Sequence, residues 1–163
     1  MKGNKAKHIN NIILALTALL LALVCMSIVL APIRFSKERE QREQAVKSSL
    51  TAIRQAQEKY CKNYGEYAHS FAKLIQEGLL PDTLQYVPYA GHERFKMATG
   101  MFQTKSGKQI PLMECSVDYK TFLKGLSKSE IRRITEEALR AGKFPGMKIG
   151  DLTTPNDNAG NWE

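Results

Sequence analysis

The sequence contains few of the residues on which metal, redox and nucleophilic chemistry depend. It has three cysteines and three histidines, and they form neither a Cys-x-x-Cys pair nor a cluster with metal-ligand spacing. A glycine-rich phosphate loop and a nucleophile elbow are also absent. Glu114 and Asp118 are a candidate carboxylate pair, but polar positions on an exposed strand are the simpler interpretation. We therefore predict that the protein is not an enzyme and carries no catalytic residues and no cofactor.

Acidic residues are outnumbered: 16 Asp and Glu stand against 24 Lys and Arg, which gives a net charge of +8. The basic residues are scattered, and no stripe of aromatic and basic side chains accompanies them. Nucleic-acid binding is therefore not predicted. A mild and scattered positive excess is typical of a solvated surface, such as one near anionic lipid head groups.

Two of the cysteines, Cys61 and Cys115, lie in the polar part of the chain. One interpretation is a disulfide formed in an oxidising compartment. Such a bridge would close about 54 residues and stabilise the domain by about 4 kcal/mol in the chain-entropy model. The other interpretation, two unpaired thiols, stays equally open. Cys25 lies in an apolar run, where a thiol behaves as a small hydrophobic group.

No charged residue interrupts residues 12–31, a run of twenty mostly apolar residues. As a helix this run reaches about 30 Å, the thickness of the hydrocarbon core of a bilayer. We therefore predict a transmembrane helix over residues 12–33, which begins near Asn10 and Asn11 and bends or ends at Pro32. A cleaved signal peptide is the competing interpretation, but its apolar region is usually about 7 to 15 residues long.

Small residues recur within this run at three- and four-residue spacing, at Ala15, Ala18 and Ala22. Such spacing places them on one face of a helix, and small residues let two helices approach closely. We therefore predict that these alanines face a partner helix. The run contains no ionisable side chain, so a proton relay or ion pathway is not expected of it.

The rest of the chain is predicted to begin with a juxtamembrane amphipathic helix over residues 34–62. Glycine and proline are absent from residues 36–62, which are rich in helix formers. Apolar residues recur there at helical spacing, as one stripe: Val46, Leu50, Ile53, Ala56 and Tyr60. The preceding tail, residues 1–11, is short and basic.

Residues 63–163 are predicted to form a small α+β domain. A short helix is expected over 70–77, and a β-hairpin over 95–104 and 109–119 has Gly107 in its turn. Pro111 indicates that its strand lies at an edge of the sheet. Ser127 and Glu130 form a capping-box pattern that opens another helix, and a short strand follows at 147–152. The predicted fold class is α+β: a transmembrane helix continuing into a long amphipathic helix, packed on a small antiparallel sheet with one or two short helices.

The C-terminal segment has the most unusual composition. Four of its residues carry oxygen ligands of the kind that calcium takes: Asp151, Asn156, Asp157 and Asn158. Their spacing departs from the twelve-residue calcium loop, and a turn held by Asx side chains is the alternative interpretation. Trp162 is the single tryptophan. It could dock on its own domain or anchor a partner, and we predict that it faces a partner, as the three alanines do.

The order of these features resembles that of pseudopilins and type IV pilin-like proteins. The likeness is closest in residues 52–60, 63–67 and 71–79, which read AIRQAQEKY, NYGEY and FAKLIQEGL. In pilins a long helix ends there in a tyrosine-rich turn, and a short helix ending in Gly-Leu packs beside it. The usual prepilin cleavage motif is not present, since Gly3 is followed by Asn4 and Lys5 and the apolar run contains no glutamate.

The resemblance implies a non-enzymatic, single-pass structural subunit of a bacterial envelope assembly for secretion or for a pilus-like fibre. The expected location is the inner membrane, with the N terminus in the cytoplasm and the domain in the periplasm. Expected partners are the lipid bilayer, other membrane subunits and further copies of the chain. The alternative function is an accessory subunit of an energised transport complex of the ExbB/ExbD/TonB type.

Overall fold

The structure is a computed structural model that describes the backbone of residues 2–163 and the side chains of residues 11, 13–26, 30 and 32–163. The chain divides into two compact units, Met1–Glu38 and Arg39–Glu163. The helices are α1 (Lys2–Tyr64), α2 (Phe71–Gln76), α3 (Tyr119–Phe122) and α4 (Lys128–Arg140), with a 3₁₀ turn at Asp82–Gln85. The strands are β1 (Lys96–Gln103), β2 (Gln109–Asp118) and β3 (Gly146–Gly150).

The predicted transmembrane helix over residues 12–33 is wrong. Across the described part of the chain, no helix combines the length and the apolar character needed to cross a bilayer. The predicted inner-membrane localisation depended on this helix and is therefore contradicted as well. The side chains of residues 1–10, 12, 27–29 and 31 of the predicted tail and helix lie outside the described residues.

The predicted start of the first helix is also wrong, and of the two alternatives predicted at Pro32, a bend or an end, the end is contradicted. The helix α1 begins at Lys2, so Asn10 and Asn11 lie inside it and do not cap it. Pro32 lies inside α1 as well. A proline removes one backbone hydrogen bond of a helix. The residues that follow it, 36–62, are strong helix formers without glycine or proline, and the helix continues through them to Tyr64.

The three strands form one antiparallel sheet in the order β1-β2-β3. The predicted hairpin is confirmed: β1 pairs with β2 from Lys96↔Ser116 to Gln103↔Gln109, and Gly107 takes a φ of +83° in the turn. The predicted edge position of the strand with Pro111 is wrong, because β2 is the central strand. Since β3 pairs only with residues 114–118, Pro111 faces a partner on the β1 side alone. Its missing N–H is therefore tolerated there.

The core of the second unit confirms the predicted apolar stripe of α1. All five stripe residues are buried: Val46, Leu50, Ile53, Ala56 and Tyr60. Buried side chains of the sheet and of α3 belong to the same core: Met113, Cys115, Val117, Phe122, Met147 and Ile149. The α+β class with a small antiparallel sheet is thereby confirmed for residues 39–163.

The helix α4 begins where the sequence pattern predicted, directly after Ser127, but without the predicted capping box. The Ser127 hydroxyl lies 2.9 Å from that of Ser129 and makes no capping bond to the helix. Glu130 pairs instead with Arg133, at 2.8 Å. Because an arginine one turn ahead offers a charged donor, it takes the carboxylate away from the helix start. Ser127 is therefore the start of α4 without being its side-chain cap.

Candidate functional site

Residues 13–26 of α1, called the apolar segment below, expose many large apolar side chains. Their exposed fractions lie between 54 and 69% for Ile13, Leu14, Leu16, Leu19, Leu20, Leu21, Leu23 and Met26. The segment contains no charged residue, and the Thr17 hydroxyl donates back to the Leu14 carbonyl at 2.9 Å. A contiguous apolar surface of this kind marks an interaction site.

The predicted partner-facing alanines all lie in the apolar segment and are exposed. Ala15, Ala18 and Ala22 follow helical spacing, so they share one face of α1. Cys25 is exposed three residues after Ala22 and continues the same face. The placement of these residues leaves their partner-facing role a prediction and provides a thiol with which it can be tested.

Cys61 and Cys115 are both free thiols in the structure. Burial in the central strand raises the pKa of the Cys115 thiol far above its usual range. Partial burial also raises the pKa of the Cys61 thiol, on α1. A thiol with a raised pKa is a poor nucleophile and a poor metal ligand at neutral pH. The structure thus corresponds to the unpaired alternative.

The candidate calcium ligands at the end of the chain form a turn. The N–H of Ala159 donates to the carbonyl of Asn156 at 3.0 Å. The two residues between them, Asp157 and Asn158, have φ angles of 53° and 56°. Two successive left-handed residues define the tight turn that Asn and Asp favour. The Asn158 side chain then donates to the Tyr67 hydroxyl at 2.8 Å.

Asp151, the remaining calcium candidate, is held by protein groups. Its carboxylate accepts hydrogen bonds from the Thr153 hydroxyl, from the N–H of Thr153 at 2.8 Å and from Lys148 Nζ at 3.0 Å. Among the described residues, no group of three or more His, Cys, Asp or Glu side chains is arranged to hold a metal ion. Calcium binding stays a prediction, and these contacts favour the Asx-turn interpretation.

The two carboxylates of β2 are bound to separate lysines and do not form a catalytic pair. Asp118 lies 2.6 Å from Lys96 Nζ. Glu114 lies 2.9 Å from Lys148 Nζ, which also contacts Asp151. Partial burial alone would lower the pKa of Lys148, but its hydrogen bonds to Glu114 and Asp151 raise it above the usual value. The group is a salt-bridge network that joins β2, β3 and the C-terminal segment.

We predict that the contribution of Asp151 to the stability of the folded domain is lost in acid. Hydrogen bonds from Thr153, together with Lys148, hold the pKa of the Asp151 carboxyl below its ordinary value of 3.8. Its contribution to stability is therefore fully present above pH 4 and is lost as the pH falls below that value, because the unfolded state takes up a proton first. Urea unfolding midpoints between pH 5 and pH 2.5 should fall less steeply for Asp151→Asn than for the wild type.

A second variant makes this test specific. Thr153→Val removes the hydroxyl donor and retains the backbone donor, so its loss of stability with acid should lie between those of the wild type and Asp151→Asn. Equal slopes for all three proteins would contradict the assignment.

The end of the chain docks on its own domain. Gly160 forms an antiparallel bridge with Ile149 of β3. Asn161 accepts from the N–H of Lys148 at 3.1 Å and donates to the carbonyl of Gly146 at 3.0 Å. The C-terminal segment therefore pairs with β3, which also pairs with β2.

Trp162 docks on its own domain, the first of the two roles considered for it, and its partner-facing role stays a prediction. A Cβ atom at Gly160 would lie 2.6 Å from its ring, so the ring packs directly on the Gly160 backbone. Lys47 Nζ lies 5.9 Å from the ring centroid. Glu163 accepts from Arg54 at 2.8 Å. Both cations lie on α1, so the tail is bound to the helix as well as to the sheet.

One pocket in the second unit, about 580 Å³, lies among α2, the 3₁₀ turn and β1. Four of its polar side chains, those of His69, Asp82, Gln85 and Arg94, have partners within the domain. His69 Nδ1 is 2.5 Å from the Thr99 hydroxyl, and Asp82 accepts from Gln85 at 2.5 Å. Arg94 lies over the Tyr86 ring, 5.5 Å from its centroid.

A further pocket, about 450 Å³, is called the basic groove and was not predicted. Its lining residues belong to α3, to the loop after it and to the start of α4: Lys120, Lys124, Gly125, Leu126, Lys128, Ile131 and Arg132. The sequence contains a signal for it, because its four basic residues recur every fourth position from 120 to 132. The four residues lie on both sides of the loop between α3 and α4, so their spacing does not place them on the face of a single helix.

Function is thus to be argued from the apolar segment and the basic groove of this chain. The likeness to pilin-like proteins rests on the sequence stretches named above. Comparison with models of protein families, with curated proteins and with solved structures finds no match.

Proposed function

We propose that the protein is a non-enzymatic, pilin-like structural subunit that assembles through its apolar segment, packed against the same segment of other copies. The observation that carries the proposal is the exposure of this segment over at least fourteen consecutive residues, without a single charge. Removing an apolar surface of this size from water is favourable, so the segment is expected to bind a partner.

The size of the effect supports a strong association. Burying a leucine that is already partly covered is worth about 1 kcal/mol, and the full transfer of a large apolar side chain about 1.5 to 3 kcal/mol. Eight such side chains in the segment are more than half exposed. The alanine face at Ala15, Ala18 and Ala22 allows helix axes to approach closely, since interaxial distance depends on side-chain size. Even after the entropy cost of association, these contributions favour a helix bundle.

The second unit supports a structural role in a different way. Its polar clusters are internal salt bridges, and burial raises the pKa values of Cys61 and Cys115. Perturbed groups in an open cleft, arranged as nucleophile and base, are what an active site would require. A stable core packed around α1, with charged residues on the surface, is instead what a structural subunit requires.

The order of elements agrees with the pilin-like sequence stretches. The helix α1 ends at Tyr64, Gly65 takes a left-handed φ of +79°, and α2 follows at Phe71–Gln76 before Gly78. The transport-complex alternative depended on a single-pass membrane helix, and no feature of the described second unit favours it.

Leu20→Glu is expected to abolish self-association. A glutamate in the middle of the apolar segment would have to be buried unpaired in a helix bundle, which costs several kcal/mol. Sedimentation velocity of the full chain without detergent or lipid should give a defined oligomer for the wild type and a monomer for Leu20→Glu. Gln41→Glu adds the same charge at an exposed position of α1 and should behave as the wild type.

Cys25 provides an independent measurement on the same face. A short bismaleimide should cross-link wild-type copies, and the cross-link should disappear in Cys25→Ser but persist in Cys61→Ser. A wild-type chain that is monomeric across the accessible concentration range, or that associates only with lipid vesicles, would refute the proposal.

A further inference from the structure

We propose that the basic groove binds an acidic peptide segment of a partner protein, with one apolar side chain of that segment seated on Leu126 and Ile131. The groove belongs to the second unit, and the proposal does not depend on assembly through the apolar segment.

The floor of the groove is apolar and its rim is basic. Ile131 is buried and Leu126 is half-buried, whereas Lys120, Lys124 and Lys128 are exposed. A volume of about 450 Å³ lies in the range of natural ligand sites, which are mostly apolar with a few polar groups placed for orientation. This combination suits a ligand that carries an apolar group and several negative charges.

The charge of the groove is not neutralised from within the chain. Among the described residues, Lys120, Lys124 and Lys128 form no ion pair with a carboxylate, and no acidic residue lines the groove. Arg132 approaches one carboxylate, Glu136, only at 4.0 Å. The positive potential is therefore available to a partner, and complementary charge speeds association and sets specificity.

Several basic residues elsewhere in the second unit pair with carboxylates. Lys96 pairs with Asp118 at 2.6 Å, and Lys148 bridges two carboxylates. Arg133, on α4 itself, lies between Glu130 and Glu137 at 2.8 and 2.7 Å. The basic groove differs from these sites because four basic residues and no acidic residue line one recess.

The loop that carries Lys124 and Leu126 is held in place before any ligand binds. Arg42 of α1 donates to the carbonyls of Phe122 and Lys124 at 3.1 and 2.9 Å. Its guanidinium also lies 5.0 Å from the centroid of the Tyr89 ring. A preformed site avoids the cost of ordering a loop on binding.

The shape and lining of the groove favour a peptide over the other polyanions. Single-stranded nucleic acid is bound by aromatic side chains on which bases stack, and the groove is lined by none. A membrane surface presents a plane of head groups, whereas the apolar floor here is recessed below its cations. An acidic peptide alone brings both a protruding apolar side chain and neighbouring carboxylates.

The proposal is tested with the fluorescein-labelled peptide acetyl-Asp-Glu-Leu-Glu-Asp-amide and the full chain. Fluorescence anisotropy should show saturable binding at low ionic strength that is lost at about 1 M salt, where the Debye length is about 3 Å. The double variant Lys124→Glu/Lys128→Glu should weaken binding by at least about tenfold. The matched control is Lys105→Glu/Lys108→Glu, which makes the same charge change on the exposed hairpin turn and should bind like the wild type.

The apolar contact is tested without changing the protein. Replacing the peptide's leucine by serine should weaken binding by about tenfold, the worth of one partly buried side chain. Equal weakening by both double variants, equal affinity for the two peptides, or binding to phosphatidylglycerol vesicles in preference to the peptide would overturn the proposal.

Discussion

Gly150→Ala is expected to lower the unfolding temperature of the second unit by about 15 °C, which corresponds to about 4 kcal/mol for a domain of this size. Gly150 ends β3 with a φ of +69°, and a Cβ atom there would lie 2.1 Å from the carbonyl oxygen of Met113. The left-handed conformation costs an alanine about 1 to 2 kcal/mol. Relieving the clash requires movement of the β2 backbone, which adds roughly 1 to 3 kcal/mol.

The matched control is Gly107→Ala in the hairpin turn. Gly107 has a similar conformation, with φ +83°, but a Cβ atom there would have no neighbour within 4 Å. Only the conformational cost of about 1 to 2 kcal/mol should appear. Thermal unfolding followed by circular dichroism compares the two variants directly. Similar losses for both would show that β3 does not approach β2 as closely as the structure requires.

Gln57→Ala is expected to destabilise the second unit by about 3 to 5 kcal/mol, because it leaves two buried backbone groups unpaired and opens a cavity. Gln57 is fully buried on α1. Its amide donates to the Ala68 carbonyl at 2.9 Å, and its carbonyl accepts from the Ala68 N–H at 2.8 Å. The Met97 sulfur lies 2.9 Å from the same amide nitrogen.

Two further variants separate the causes. Gln57→Leu nearly restores the lost volume but leaves Ala68 unpaired, so its loss should lie between those of the wild type and Gln57→Ala. Gln55→Ala removes the same side chain from an exposed position of the same helix and should change stability by no more than about 0.5 kcal/mol. Urea unfolding gives these values, and Ala68 N–H exchange with solvent should accelerate in both Gln57 variants. A neutral Gln57→Ala would show that the bonds to Ala68 are not formed.

Elements with local signals were predictable from the sequence. The stripe from Val46 to Tyr60 repeats with the period of a helix, and each member is buried. The hairpin follows from two strand-like runs around Gly107, and its observed strands differ from the predicted ones by one residue or none at each end. The helix α4 is found as expected, because a polar start and a closing Gly142 with φ +65° bracket it. Each of these signals lies within a few residues of the element that it specifies.

Features that depend on distant parts of the chain were not predictable in this way. The central position of β2 results from pairing with β3, which lies 28 residues further on at its nearest end. Gln57 reads as a polar helix residue, and its burial depends on the turn that brings Ala68 against it. Lys120 and Arg132 come together only because the loop at residues 123–127 folds back.

The transmembrane prediction failed for a related reason. The length of a twenty-residue apolar run shows that a helix could span a bilayer. It does not show whether lipid or other protein chains surround that helix. The continuation of α1 into the stripe that packs in the second unit was predicted, so the error lies in assigning the run to a membrane and not in the helix itself.

The docking of the C-terminal segment has a consequence for the order of events during synthesis. Arg54 and Glu163 form an ion pair across 109 positions of sequence, and β3 must return to a strand that emerges much earlier. Contacts of such separation slow folding, since a long loop must close before they form. The sheet therefore acquires its third strand, and α1 its contact with Glu163, only after residues 146–163 have left the ribosome. Until then the edge of β2 that pairs with β3 is unpaired and accessible to chaperones.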